Sequence, residues 1–143
     1  LGGGDASCTG FALSEPTLAG TTWTAWLSDD TGLAINRITA ADRYETVTGV
    51  LVANGIGDLT DPTGSLAAAI NVDEHSNTVA APAGVWTGTN PDGTLATAQH
   101  CDNWGTAVGF NGQGGSLFET NNTWTDFGIR TCTTAGRLYC FEN

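Results

Sequence analysis

Apolar residues along the chain come in short runs, separated by segments rich in glycine, threonine, asparagine and aspartate, with no tandem repeat. No run reaches the length of a transmembrane helix. This rhythm predicts a loop-rich α+β domain. Residues 5–13 (DASCTGFAL) are the best helix candidate: Ala6, Cys8, Ala12 and Leu13 share or border one face, and Pro16 stops the helix. Residues 22–27 (TWTAWL) alternate tryptophan with small residues as a half-buried strand does, and residues 34–41 have the pattern of one or two helical turns. Residues 47–53 (VTGVLVA) followed by Asn54-Gly55 read as strand and turn. Residues 66–72 (LAAAINV) fit either a short helix or a strand, with strand favoured at Ile70 to Val72. Val85-Trp86 and residues 137–141 (RLYCF) read as core strands. Residues 105–115 hold so many glycines that a long ordered loop, clipped at its far side by Cys132, is expected there.

At 143 residues, 1–143 forms a single domain large enough for a real core. The four cysteines, Cys8, Cys101, Cys132 and Cys140, lie one near each end and two inside. That layout suggests two nested disulfides, although four cysteines allow more than one connectivity and the pattern alone does not choose. No CxxC pair is present, which argues against zinc and redox chemistry. Paired cysteines need an oxidising compartment, so an extracellular or cell-surface location is expected. With no methionine, Leu1 is not a translation start, and the natural polypeptide is expected to continue upstream.

Fifteen acidic residues face four arginines and no lysine, for a net charge of -11, and Arg37, Arg43, Arg130 and Arg137 form no run. Nucleic acid, heparin-like polyanions and anionic membranes are therefore excluded as partners, and no membrane insertion is expected. His75 and His100 stand alone in polar segments without a metalloenzyme motif around them and read as simple surface residues. Asn71, Asp73, His75 and Asn77 alternate like the oxygen positions of a calcium loop but lack its glycine and distal glutamate, so they read as a polar turn. No GxSxG elbow or phosphate-cradling loop is found. The carboxylate pairs Asp29-Asp30 and Asp73-Glu74 are adjacent in sequence and read as solvated turns. A non-enzyme is expected. Asn121-Asn122-Thr123 forms a glycosylation sequon in a segment where such triplets arise by chance.

The ordered pieces Gly4-Asp5-Ala6 before Cys8, Gly20-Thr21-Thr22-Trp23-Thr24-Ala25-Trp26-Leu27-Ser28, Ile70-Asn71-Val72-Asp73, Val85-Trp86-Thr87-Gly88-Thr89-Asn90-Pro91-Asp92-Gly93, Cys101-Asp102-Asn103-Trp104 and Leu138-Tyr139-Cys140-Phe141-Glu142-Asn143 carry a resemblance. Together they resemble the endostatin domains that end certain collagens, and more nearly the stand-alone endostatin-like domains of bacterial secreted and surface proteins. The resemblance implies a C-type-lectin-like fold of small mixed sheets, one or two helices and long ordered loops. It also implies the pairing Cys8 with Cys140 and Cys101 with Cys132. The animal members' heparin binding needs clustered arginines, and their zinc site needs N-terminal histidines; neither is present here.

Such domains place a strand ahead of the Gly-Ala-Asp stretch, and this chain begins too close to Gly4 to hold one. An open assembly edge at Arg137, Leu138, Tyr139 and Phe141 is therefore expected, to be filled by an upstream apolar segment or by a neighbouring subunit. Sugar-binding C-type lectins hold calcium with tripeptides that here match Asn90-Pro91-Asp92 and Trp124-Thr125-Asp126. Asn90, Asp92 and Asp126 are thus weak calcium candidates, too few oxygens without waters or carbonyls. Trp23, Trp26, Trp86, Trp104 and Trp124 read as core. Two functions follow as expectations: a non-enzymatic extracellular binding or adhesion module for protein or glycan, or a structural subunit that joins copies of itself into a filament or surface layer.

Overall fold

The computed structural model describes residues 1–81 and 83–143. It is a small mixed α/β protein with short helices, small antiparallel sheets and two disulfides, Cys8–Cys140 and Cys101–Cys132. On the chain-entropy model the outer bridge, across 132 residues, contributes about 5 kcal/mol and the inner one, across 31, about 3.7 kcal/mol.

Helix α1 covers Gly2–Ala12, starting before the expected Asp5, and buries Cys8 and Ala12. It seats closely: a methyl at Gly4 would meet the Leu27 side chain at 2.8 Å. Strand β1 (Trp23–Ala25) pairs antiparallel with the last strand of the chain. The 34–41 segment reduces to one 3-10 turn, Ala34–Asn36. Strands β2 (Tyr44–Glu45) and β3 (Leu51–Ala53) form a hairpin. Only the end of the expected 47–53 strand is strand, because Thr46 to Val50 form the turn of that hairpin. Asn54-Gly55 does not close a turn between strands but starts helix α2 (Gly55–Leu59). Residues 66–72 form no regular element beyond a bridge from Val72 to Thr78.

The remaining sheet joins β4 (Gly84–Trp86), β5 (Asn111–Ser116) and β6 (Gly128–Thr131) with β5 in the centre. The expected 105–115 loop is therefore corrected: its second half is a central strand. Its glycines are demanded by close approach rather than by flexibility. A methyl at Gly115 would lie 1.8 Å from the Trp124 carbonyl oxygen, and one at Gly112 would lie 2.8 Å from both Cys101 Sγ and the Trp86 ring. Strand β7 (Cys140–Glu142) closes the fold.

Two apolar clusters form beneath these elements. The larger is aromatic: Trp26 stacks near Trp124 (5.3 Å between centroids) and Phe141 (5.7 Å), and Tyr139 near Trp124 (5.3 Å). The buried Tyr139 hydroxyl donates to the carbonyls of Ser116 and Trp124, and burial pushes its ionisation up. The smaller cluster gathers Cys8, Ala25 and Leu27 with the partly buried Trp23, Trp86, Trp104, Leu138 and Cys140. Of the five tryptophans only Trp26 and Trp124 are fully enclosed; the others are half-buried against the smaller cluster.

The turn Cys101–Trp104 runs left-handed, with φ between 52° and 61° at all four residues. Such a conformation costs an L-residue roughly 1–2 kcal/mol. It is held by Cys132, by His100 Nδ1 accepting from the Asn103 N–H (2.9 Å), and by Trp104 Nε1 donating to the Ser28 carbonyl (3.1 Å).

Candidate functional site: a groove beside the last strand

The alternation along β7 decides which backbone groups are used. Phe141 pairs with Thr24, and the Tyr139 carbonyl accepts from Trp26 N–H (2.9 Å), so Tyr139 and Phe141 face β1. Arg137 exchanges two hydrogen bonds with β4, to the Gly84 carbonyl (3.0 Å) and from the Trp86 N–H (2.9 Å). The expected assembly edge is therefore redistributed. Arg137, Tyr139 and Phe141 are paired inward, whereas Leu138 belongs to the opposite edge together with Cys140 and Glu142. Among the described residues, no hydrogen bond reaches the backbone groups of these last three.

The far side of the two-stranded ribbon is finished differently. Ala25 N–H donates to Asp5 Oδ1 (2.9 Å), and Arg37 donates to the carbonyls of Ala25 (2.8 Å) and Leu27 (3.2 Å). The two side chains join each other through Arg37 Nη2 to both Asp5 oxygens, at 2.7 and 2.6 Å. This charge-assisted fork occupies the backbone groups to which a further strand would pair. No motif announced it, because its members come from α1 and from the segment after the 3-10 turn.

A groove of about 470 Å³ runs beside Gly136 to Cys140. Its lining is mainly apolar, with Phe11 and Ala12 from α1, Trp23 from β1, Ile70 and Val79 from the 70s segment, and Leu117. Phe11 is 53% exposed and Val47, also in the lining, is 39% exposed, so apolar surface continues outward from the groove. The Trp23 indole N–H is buried without a hydrogen-bond partner among the described residues.

Asp73 and Glu74 also line the groove. Asp73 is a structural acid: its Oδ1 accepts from the N–H groups of His75 (3.0 Å) and Asn77 (2.8 Å), closing the polar turn expected from residues 71–77. Its pKa is lowered, chiefly by the Asn77 backbone hydrogen bond. His75 contacts Glu15, beyond α1, and lies 3.6 Å from Glu74. The hydrogen bond to Glu15 raises its pKa above the ordinary imidazole value of 6.5. Two segments that line the groove are thus tied together across His75.

The calcium candidates fall into two hydrogen-bonded systems, Asn90 with Asp92 through Thr94, and Asp126 with Gln113. Asn90 donates to Thr94 Oγ1 (3.2 Å) and the Leu95 carbonyl (2.8 Å), while Asp92 Oδ1 accepts from Thr94 N–H (3.0 Å) and Oγ1 (2.6 Å), which lowers its pKa. Asp126 instead accepts from Gln113 Nε2, and burial raises its pKa despite that bond. Among the described residues, no group of three or more histidine, cysteine, aspartate or glutamate side chains is arranged to hold a metal ion. His100 is buried rather than a surface residue, since it caps the left-handed turn. Asn121 accepts from Thr123 at the start of a 3-10 turn, Asn122–Trp124. No helix among the described residues is long and apolar enough to cross a membrane.

No known family model matches the chain, and no curated protein matches it.

Proposed function

We propose that the chain is a non-enzymatic extracellular binding module of endostatin-like, C-type-lectin-like type, and that it binds through the groove beside β7. The observation that carries this reading is the coincidence of an apolar groove with a strand edge whose backbone groups have no partner among the described residues. Of the groups that line the groove, Cys8 and Cys140 are joined to each other and Asp73 is committed to its own turn, which supports burial and hydrogen bonding as what the groove offers. The two disulfides support an oxidising, extracellular setting.

The test is amide NMR mapping with two probe sets, short extended peptides and neutral oligosaccharides. Shifts confined to residues 7–12, 70–79 and 136–140 support the groove. Shifts centred on the Asn90 to Asp92 turn and Asp126, dependent on calcium, would move the site to the lectin position. A second reading, a structural subunit joined by strand addition, draws on the same free edge at Leu138, Cys140 and Glu142. Electron microscopy of native material separates single modules from ordered arrays.

A further inference from the structure

We infer that the occupant of the groove is an extended peptide segment of a partner protein, apolar in alternation and carrying lysine or arginine, which adds to β7 as a strand. This rests on the groove being the binding surface. On β7 the outward backbone groups of Cys140 and Glu142, and those of Leu138 two residues before the strand, have no partner among the described residues, and they recur at every second residue, the repeat that another strand presents. A glycan ring offers hydroxyls without that period, whereas an added strand matches donor to acceptor along the edge. Its side chains on one face would enter the lining of Ala12, Ile70, Val79 and Leu117.

Charge fixes the partner's sign. Asp73 and Glu74 line the groove against Arg137, Glu15 is joined to the same wall through His75, and Glu142 is exposed on β7, on a chain of net charge -11. Three of the four arginines are engaged elsewhere: Arg37 with Asp5, Arg43 with Glu45, and Arg130 over the Trp86 ring. Residues 1–143 contain no lysine and no arginine run, so a second copy of this domain has no basic segment to offer and is repelled by its own charge. A basic segment is drawn in, and its encounter is faster at low salt.

The experiment uses synthetic peptides of alternating valine and threonine flanked by lysines, the same sequence flanked by glutamates, and the lysine version methylated at alternate backbone nitrogens. A neutral hexasaccharide is the fourth probe. The lysine peptide is expected to bind about tenfold or more tighter than the glutamate peptide at low salt, with the gap narrowing as salt screens it. It is also expected to protect the amides of Cys140 and Glu142 from hydrogen exchange, and methylation of the pairing nitrogens to abolish both effects. The surface change Glu74→Lys is expected to shrink the preference for lysine without altering thermal stability.

Equal affinity of lysine and glutamate peptides overturns the charge assignment. Equal affinity of methylated and unmethylated peptides, or unprotected edge amides, overturns strand addition. If only the hexasaccharide shifts the groove amides, this inference fails and the binding reading survives; if no probe shifts them, both fail. Edge protection that grows with the concentration of the chain alone, together with dimers, would make a second copy the occupant and overturn the inference.

Discussion

The β1–β7 ribbon has two outer edges, and the protein treats them in opposite ways. Along β1 the free backbone groups are taken by the chain's own side chains, Asp5 and Arg37 clasped together over Ala25 and Leu27. Along β7 and the residues before it, the equivalent groups at Leu138, Cys140 and Glu142 have no partner among the described residues, and Leu138 and Cys140 line an apolar groove. The contrast shows that a strand edge can be sealed locally, by one ion pair of the right reach, without another strand. The β7 edge lacks such a seal although acidic side chains are plentiful.

The strongest way to break the contrast is to remove the bridge that spans both edges. Cys8 sits on α1, which also carries Asp5, and Cys140 sits on β7. Replacing both cysteines by alanine is expected to lower stability by about 3–5 kcal/mol, read by denaturant unfolding. An unchanged midpoint would mean that packing alone holds α1 against the ribbon. Next in size, Asp5→Ala is expected to cost about 2 kcal/mol, because it leaves Arg37, only 14% exposed, without its counter-charge. It also uncovers the Ala25 N–H, so concentration-dependent association should appear in sedimentation. A double-mutant cycle with Arg37→Met should show coupling of about 1 kcal/mol or more, and additive effects would discount the clasp.

A smaller effect sharpens the open side. The Glu15 hydrogen bond, with Glu15, Glu74 and Asp73 charges behind it, raises the His75 pKa above its ordinary value. The contribution of this contact is then fully present below the unfolded imidazole pKa and is lost as pH rises through the higher folded value. NMR titration should place the His75 midpoint above 6.5, and Glu15→Gln should bring it down towards that value. If the midpoint does not move in Glu15→Gln, the groove walls are not tied through this pair. The smallest change expected is Arg43→Ala. Its pair with Glu45 is exposed, so the loss should be within about 0.5 kcal/mol in thermal melts.

Much of the local structure was legible where side chains repeat with a period. Val85-Trp86 announced β4, the tryptophan alternation announced β1, and the helical face at Cys8 and Ala12 announced α1. Strand β5 was missed because its sequence, NGQGGS, has no apolar period to read. Its glycines answer to Trp124, Cys101 and Trp86, contacts that no local window contains. The site divides in the same way. Residues 137–141 were readable as a strand, of which Cys140 and Phe141 fall in β7, but which residues face outward depends on register with β1 and β4, and Arg137, Tyr139 and Phe141 are the paired set. The Asp5–Arg37 clasp joins residues far apart in sequence that belong to no shared pattern, so nothing in the sequence marked it.

The placement of one cysteine pair inside the span of the other governs what a protease can release. Any single peptide bond cut between Cys8 and Cys140 leaves both halves joined through Cys8–Cys140. If one cut falls before Cys101 and a second between Cys101 and Cys132, the middle piece still hangs from Cys132, and the outer pieces from each other. A nicked molecule therefore migrates as one species until a reductant is added, and damage to an exposed turn does not set its groove adrift.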